Sequence, residues 1–298
     1  MGTPEFAVPS LEILLKEGCS IAAVITAPDK PAGRGMHLHQ SAVKKFALDN
    51  NLKILQPEKL KDENFLSELK SLQPDLGVVV AFRKLPESVW DLPRLGTFNL
   101  HASLLPNYRG AAPINWAIIN GEKETGATTF FLTHEIDTGK IILQEKISIG
   151  DEETAGELHD RMKIMGASLV LKTVKQIENG NTQTTDQLLN GDFKKAPKIF
   201  TEDCGIHFEK TTDEVFNLIR GLSPYPAAFT TMNAKVLKIF RAGKILELHS
   251  ATPGSVSSDG KTFLRFACSD GWIEIKELQL EGKKKMSVEE FLRGHKLN

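Results

Sequence analysis

The chain has 298 residues, of which 41% are hydrophobic and 25% charged, and its formal net charge is −1. These are the proportions of a soluble globular protein with one large or two ordinary domains, long enough to bury a core without covalent staples. Cys19, Cys204 and Cys268 are odd in number, widely spaced and without a C-x-x-C pair, which suggests neither a disulfide framework nor a thiolate zinc site and predicts free thiols in a reducing compartment.

The first half alternates helical and strand patterns. Residues 6–17 read as a helix, Ser20 to Ala27 as a buried strand, 40–49 as a helix and 52–55 as a short strand. Residues 62–72 are helical, with Phe65, Leu66, Leu69 and Leu72 on one face. Leu76 to Phe82 (LGVVVAF) reads as a strand buried on both faces, and Thr97 to His101 as another. Alternating units of this length predict an α/β domain built on a doubly wound, Rossmann-like, mostly parallel sheet. Runs 127–133 and 140–149 then read as two strands joined by a turn at Glu135–Gly139, followed by a long helix over about 154–178. Beyond a polar, irregular stretch, one helix (212–221) precedes short strands. Turn signals fall at Gly243, Pro253-Gly254, Asp259-Gly260 and Asp270-Gly271, the rhythm of a small β-barrel or sandwich. The predicted organisation is a first domain over 1–188, a linker over 189–205 and a second domain over 206–298.

No run of about 18 apolar residues predicts a membrane span, no leader pattern opens the chain, and Phe6 breaks the myristoylation pattern, so a cytoplasmic location is expected. Charge is unevenly spread: residues 190–298 carry net +3 and residues 1–189 net −4, with Lys283-Lys284-Lys285 the densest basic point. Such a run is compatible with a solvated turn as well as with a nucleic-acid contact.

The stretch Phe98 to Gly110 (FNLHASLLPNYRG) is the richest in chemistry. Strand alternation puts Asn99 and His101 on one face and Phe98 and Leu100 on the other. Two hydrogen-bonding groups thus meet at the carboxyl end of a strand, where open α/β sheets bind ligands. An amide donor beside an imidazole suits a developing oxyanion, although the pair can equally be satisfied at a strand end. Asp137 sits in a turn before Thr138-Gly139, where Asp is commonly a turn former. Residues 28–45 form a Pro- and Gly-rich loop running into a helix. It holds Lys30, Arg34, Lys44 and Lys45 and no acid after Asp29, a composition that suits a phosphate backbone or a plain surface loop. It lacks the third glycine of a dinucleotide fingerprint. His37 and His39 have no ligand partner at metal spacing, so no metal is expected.

Several of these segments together resemble the methionyl-tRNA formyltransferase family of folate-dependent formyltransferases. Met1 to Ser10 (MGTPEFAVPS) resembles its opening loop and Pro28 to Gly35 (PDKPAGRG) its inserted loop. His101 to Pro106 (HASLLP) and Tyr108 to Ile114 (YRGAAPI) resemble its active-site segment, Asp137-Thr138-Gly139 its aspartate segment, and Gly282 to Met286 (GKKKM) a motif near its C-terminus. The resemblance covers essentially the whole chain in order.

It implies that the chain transfers formyl from 10-formyltetrahydrofolate to methionyl-initiator-tRNA for translation initiation. Asn99, His101 and Asp137 would form the catalytic set. Phe82, Arg83, Leu85, Ser103, Leu104, Pro106 and Asp137 would surround the folate. Arg34, Lys30, Lys44, Lys283, Lys284 and Lys285 would contact tRNA. The second domain would be an oligonucleotide-binding (OB-like) barrel, and a monomer without metal or membrane contact is expected. In two places the chain departs from the family pattern. The family has a β-strand ahead of its Met-Gly-Thr-Pro loop, where this sequence begins, and a glycine where this chain has Arg83-Lys84. A folate-dependent enzyme acting on a small molecule, or a non-catalytic RNA-binding protein, are the competing readings.

Overall fold

The structure, a computed structural model, describes residues 1–32, 37–188 and 190–295. It divides into two compact units, each discontinuous in sequence. The first comprises Met1–Arg109, Gly126–Ile147 and His159–Lys194; the second comprises Gly110–Thr125, Ser148–Leu158 and Lys195–Asn298.

In the first unit, helix α1 (Val8–Lys16) leads to strand β1 (Val24–Ile25). The strand is shorter than the apolar run Ser20 to Ala27 predicts, because its ladder with β4 (Ile54–Leu55) lasts only two residues, Val24 opposite Ile54 and Ile25 opposite Leu55, in parallel. Between them, part of the predicted loop 28–45 is ordered as an antiparallel pair, β2 (Lys30–Ala32) and β3 (His37–His39). Ser41 then caps α2 (Ala42–Asp49) by accepting from Lys44 N at 3.0 Å, and Asp62 caps α3 (Glu63–Ser71) by accepting from Phe65 N at 3.0 Å. Phe65 and Leu69, one turn apart, bury the same face of α3 against Ile25, Leu55, Val79 and Val89.

The main sheet of this unit has the order β5-β6-β7-β8, with β5 at Gly77–Val80, β6 at Thr97–His101, β7 at Glu124–Phe131 and β8 at Ile141–Ser148. The short helix α4 (Glu87–Trp90) links β5 to β6, which pair in parallel, whereas β6 and β7 run antiparallel with His101 opposite Thr128. The parallel part of the sheet therefore stops at β6. The long helix α5 (Ala155–Glu178) lies against β6, where Gly166 admits Leu100: a Cβ there would come within 2.8 Å of Leu100 Cδ2.

Met1 and Gly2 bridge β1 and β5. The Met1 amine donates to Val78 O at 2.7 Å, Val80 N donates to Met1 O at 2.9 Å, and Gly2 N donates to Ile25 O at 3.0 Å. Beside these two residues lies a cavity of about 760 Å³, lined by Leu14, Cys19, Val24, Leu69 and Val78 among others. The β1–β4 pair and β5 belong to distinct sheets.

The second unit is built on a six-stranded sheet. Its path is β9-β10-β13-β12-β11, with β9 at Ala228–Met232, β10 at Lys235–Ile245, β11 at Val256–Ser258, β12 at Leu264–Ala267 and β13 at Trp272–Leu280, while β14 (Met286–Ser287) pairs with β13. All its pairings are antiparallel, and register shifts between Ile239 and Ala242 mark a bulge in β10. Helix α6 (Thr212–Leu222) begins with a capping box, Thr211 with Glu214, and buries Val215, Phe216, Ile219 and Leu222 against Leu237, Ile239, Leu264 and Ile273. Each such side chain contributes about 1.5–3 kcal/mol by leaving water.

Candidate active site

The strand alternation read from the sequence is realised in β6. Phe98 and Leu100 are buried in the core; Asn99 and His101 occupy the other face. Asn99 is half-buried, and its side chain has no hydrogen-bond partner among the described residues. His101 is buried, and its Nε2 is 2.8 Å from Tyr108 O. A carbonyl only accepts, so this contact assigns the hydrogen to Nε2. Nδ1 then faces Asp137 Oδ2 at 3.9 Å, with side chains only 7% and 13% exposed. That separation exceeds a direct hydrogen bond.

The loop after His101 is held by a compact network. Thr128 Oγ1 donates to Ser103 O at 2.6 Å and accepts from Leu105 N at 3.1 Å; Gln144 Nε2 donates to Thr128 Oγ1 and to Leu105 O, both at 2.9 Å. The Leu105-Pro106 peptide is cis, and Tyr108 has φ +61°. Ser103 is fully buried and donates to Asn107 O at 2.7 Å, so its hydroxyl shapes the loop. Leu104 packs over Gly126, where a Cβ would lie 2.5 Å from its Cδ2.

Asp137 lies in the turn between β7 and β8 with φ +56°, a left-handed conformation that an aspartate tolerates better than most residues. Thr133 and Thr138 both donate to Glu135 O, at 3.3 and 3.2 Å, and tighten the turn. A residue given no role from the sequence completes it. Gln187, 8% exposed, donates from Nε2 to Asp137 O at 3.1 Å and to Gly139 O at 2.7 Å. Its Oε1 accepts from Arg109, 2.6 Å from Nη2 and 3.2 Å from Nε. No periodicity marks Gln187, which sits in a polar irregular segment, and Arg109 stood only as part of a motif.

The remaining predicted contacts are distributed as follows. Phe82 is half-buried with the Arg83 guanidinium 5.8 Å above its ring, and Arg83 donates back to Glu58 O at 2.9 Å and to Pro57 O. Leu85 is a core residue packed with Val79 and Val89, while Lys84 is exposed. Pro106 is half-buried. Lys30 is exposed; Lys44 is paired with Asp29 at 2.6 Å, and the Lys44 hydrogen bond is the main cause holding that carboxyl below its ordinary range. Arg34 lies outside the described residues. Lys283 and Lys284 are exposed without an ion pair among the described residues, whereas Lys285 pairs with Glu277 at 2.6 Å and sits 5.2 Å over the Phe240 ring. Among the described residues no cluster of three His, Cys, Asp or Glu is arranged to hold a metal, and no helix is long and apolar enough to cross a membrane.

Two family models match the chain: "Formyl transferase" over residues 1–174 and "Formyl transferase, C-terminal domain" over residues 198–296. The methionyl-tRNA formyltransferase of Bacteroides fragilis is 52% identical over 305 residues, covering 100% of this chain and 94% of that protein. The protein of the same name from Flavobacterium johnsoniae is 55% identical over 298 residues, with 99% and 94% covered. Among solved structures, WlaRD, a sugar 3N-formyl transferase crystallised with dTDP and 5-N-formyl-THF, superposes with a TM-score of 0.67 at 25% identity, over 95% of this chain and 97% of that one. HypX from Aquifex aeolicus in complex with tetrahydrofolic acid shares the fold, with a TM-score of 0.61 at 21% identity over 82% of this chain and 43% of that one.

Proposed function

Because the chain belongs to the methionyl-tRNA formyltransferase family, we propose that it moves the formyl group of 10-formyltetrahydrofolate to the α-amino group of methionyl-initiator-tRNA. The observation that carries the chemistry is the His101–Asp137 pair beyond the end of β6, with the Asn99 amide, unpartnered among the described residues, on the same strand face as His101.

The acceptor amine has an ordinary pKa of about 7.7–8.0, so a useful fraction is neutral near pH 7 and needs little general-base help. The harder tasks are placing it on the formyl carbon and stabilising the tetrahedral oxyanion. Asn99, with both amide hydrogens uncommitted, supplies a donor for that oxygen. His101, its Nε2 hydrogen committed to Tyr108, handles protons through Nδ1. Asp137 faces that nitrogen and relays the proton, through a bridging water, from the attacking amine to the departing folate nitrogen. The folate is read as lying along the Phe82–Leu85 segment and the Asp137 turn. The Arg83 guanidinium is committed to the Pro57 and Glu58 carbonyls.

For the second unit we read the six-stranded antiparallel sheet, with its bulged β10, as an OB-like barrel wall that holds tRNA. Lys283 and Lys284, without an ion pair among the described residues, are read as phosphate contacts, with Lys30 and Arg34 as further contacts. A cytoplasmic monomer fits this role.

The test is formyl transfer from 10-formyltetrahydrofolate to methionyl-initiator-tRNA, run beside an amino-sugar nucleotide as acceptor. Transfer to the tRNA alone is expected. Transfer to the sugar nucleotide alone would reassign the acceptor and move the chain to the small-molecule enzymes.

A further inference from the structure

Hydrogen bonds, and one longer contact that is not a hydrogen bond, tie the His101–Asp137 pair into a ring. His101 Nε2 donates to Tyr108 O at 2.8 Å. The next residue, Arg109, donates to Gln187 Oε1 at 2.6 Å and to Leu188 O at 3.3 Å. Gln187 Nε2 donates to Asp137 O at 3.1 Å and Gly139 O at 2.7 Å, and the Asp137 carboxylate returns to His101 Nδ1 at 3.9 Å. Gln187 is delivered to this ring by a short antiparallel bridge: Ile141 N donates to Thr185 O at 2.8 Å, and Thr185 N donates to Ile141 O at 2.9 Å. Residue 187 falls between the two stretches that the family models match, which end at 174 and resume at 198.

We infer that Gln187, braced by Arg109, is a positioning residue that fixes the Asp137 turn and thereby the gap between Asp137 and His101. The inference rests on the function proposed above. Its physical basis is geometric. Asp137 holds a left-handed backbone at φ +56°, an uncommon conformation even for an aspartate, and one its surroundings help to hold. Gln187 helps to hold it from the backbone side, spending both amide hydrogens on the two carbonyls that flank Thr138. Arg109 fixes which way the amide points, because its donors demand the oxygen and so present the nitrogen to the turn. The chain segment that binds the imidazole and the one that carries the carboxylate are thus tied to one side chain. A displacement of about 1 Å at such a site can cost about 100-fold in rate.

Gln187→Glu isolates the claim, since it keeps the length and the oxygen that Arg109 needs while removing the hydrogens given to Asp137 and Gly139. With wild-type transfer established first, this variant is expected to lose about 10- to 100-fold in kcat with KM for tRNA and folate unchanged. Gln187→Met should lose at least as much. In kcat, Arg109→Met should add little to Gln187→Met, because Arg109 reaches the Asp137 turn through Gln187 Oε1, its other bond going to Leu188 O. Melting midpoints are recorded for all variants. Wild-type kcat in Gln187→Glu, a change in KM instead of kcat, full additivity of the Arg109 and Gln187 changes, or loss of rate in step with loss of folding across both Gln187 variants would each overturn the positioning role. A wild-type chain that transfers no formyl group to tRNA would instead defeat the function itself.

Discussion

Nε2 of His101 gives its hydrogen to the carbonyl oxygen of Tyr108 at 2.8 Å, so the nitrogen facing Asp137 is Nδ1. The buried carbonyl of a residue at φ +61° therefore selects the imidazole tautomer, and the carboxylate meets a nitrogen able to take up a proton. Asp137→Asn retains the turn, because Gln187 bonds the backbone and not the carboxylate. It removes the charge proposed to relay the proton. Single-turnover kinetics should show the chemical step slowed about 100- to 10,000-fold, the range for losing a positioned acid or base, with the melting midpoint unchanged. A chemical step at the wild-type rate would remove Asp137 from proton handling.

Asn99 has a different signature. Its amide has no partner among the described residues to rearrange when it is lost, so Asn99→Ala should fold as the wild type does. Loss of one oxyanion donor costs about 100- to 1,000-fold in kcat, or ~3–4 kcal/mol. Steady-state kinetics separate the roles: a raised KM at constant kcat would place Asn99 in binding alone.

Gly139 has no space for a side chain. A Cβ there would lie 1.7 Å from Phe131 O, a backbone atom that cannot rotate away. Gly139→Ala must therefore displace the turn that carries Asp137. The expected results are a loss of about 1–3 kcal/mol by denaturant titration and a fall in kcat larger than that of an equally destabilised variant elsewhere. Wild-type turnover in Gly139→Ala would show that the turn can shift without consequence.

Part of the geometry of this candidate site was legible in the sequence, and the part that was not has a physical reason. Asn99 and His101 follow from strand period alone, since Phe98 and Leu100 must go to the core. Asp137 could not be separated from a turn former by local pattern, because its partner His101 is distant in sequence and meets it only in the fold. Gln187 carried no signal at all: a single polar residue in a polar segment acquires meaning only when the bridge at Thr185 lays it against the turn. Strand lengths were overestimated at Ser20–Ala27 for a related reason. Apolar composition reports burial, but a ladder needs a partner, and β4 offers one for only two residues.

The basic run near the C-terminus divides by partner. Lys285 is committed to Glu277 and Phe240, whereas Lys283 and Lys284 point to no acid among the described residues. Lys283→Glu with Lys284→Glu should raise KM for tRNA and lower the slope of log affinity against log salt by on the order of one per lysine, leaving folate binding intact. Lys285→Ala should act less on tRNA than on stability. Equal tRNA effects from all three positions would mean that the Glu277 pair opens on binding.

The second unit depends on a carboxylate at the start of α6. Asp270 Oδ1 accepts from Thr212 N at 2.7 Å and from Thr212 Oγ1 at 2.6 Å, and Thr212 is fully buried. The Thr212 side-chain bond, reinforced by its backbone N–H, holds the Asp270 carboxyl below its ordinary value. A carboxyl lowered in the folded state stabilises the fold at pH above its unfolded value, about 3.9, and that contribution disappears as pH falls through the lower, folded value. Asp270→Asn keeps an acceptor for Thr212 but no charge, so its melting midpoint should fall below the wild type at neutral pH and converge with it in acid. Asp270→Ala leaves a buried hydroxyl and a helix N–H without an acceptor and should lose about 0.5–2 kcal/mol at every pH. Melting curves of the three proteins across the acid range decide the matter: a constant gap between wild type and Asp270→Asn would show that the hydrogen bonds, and not the charge, secure α6.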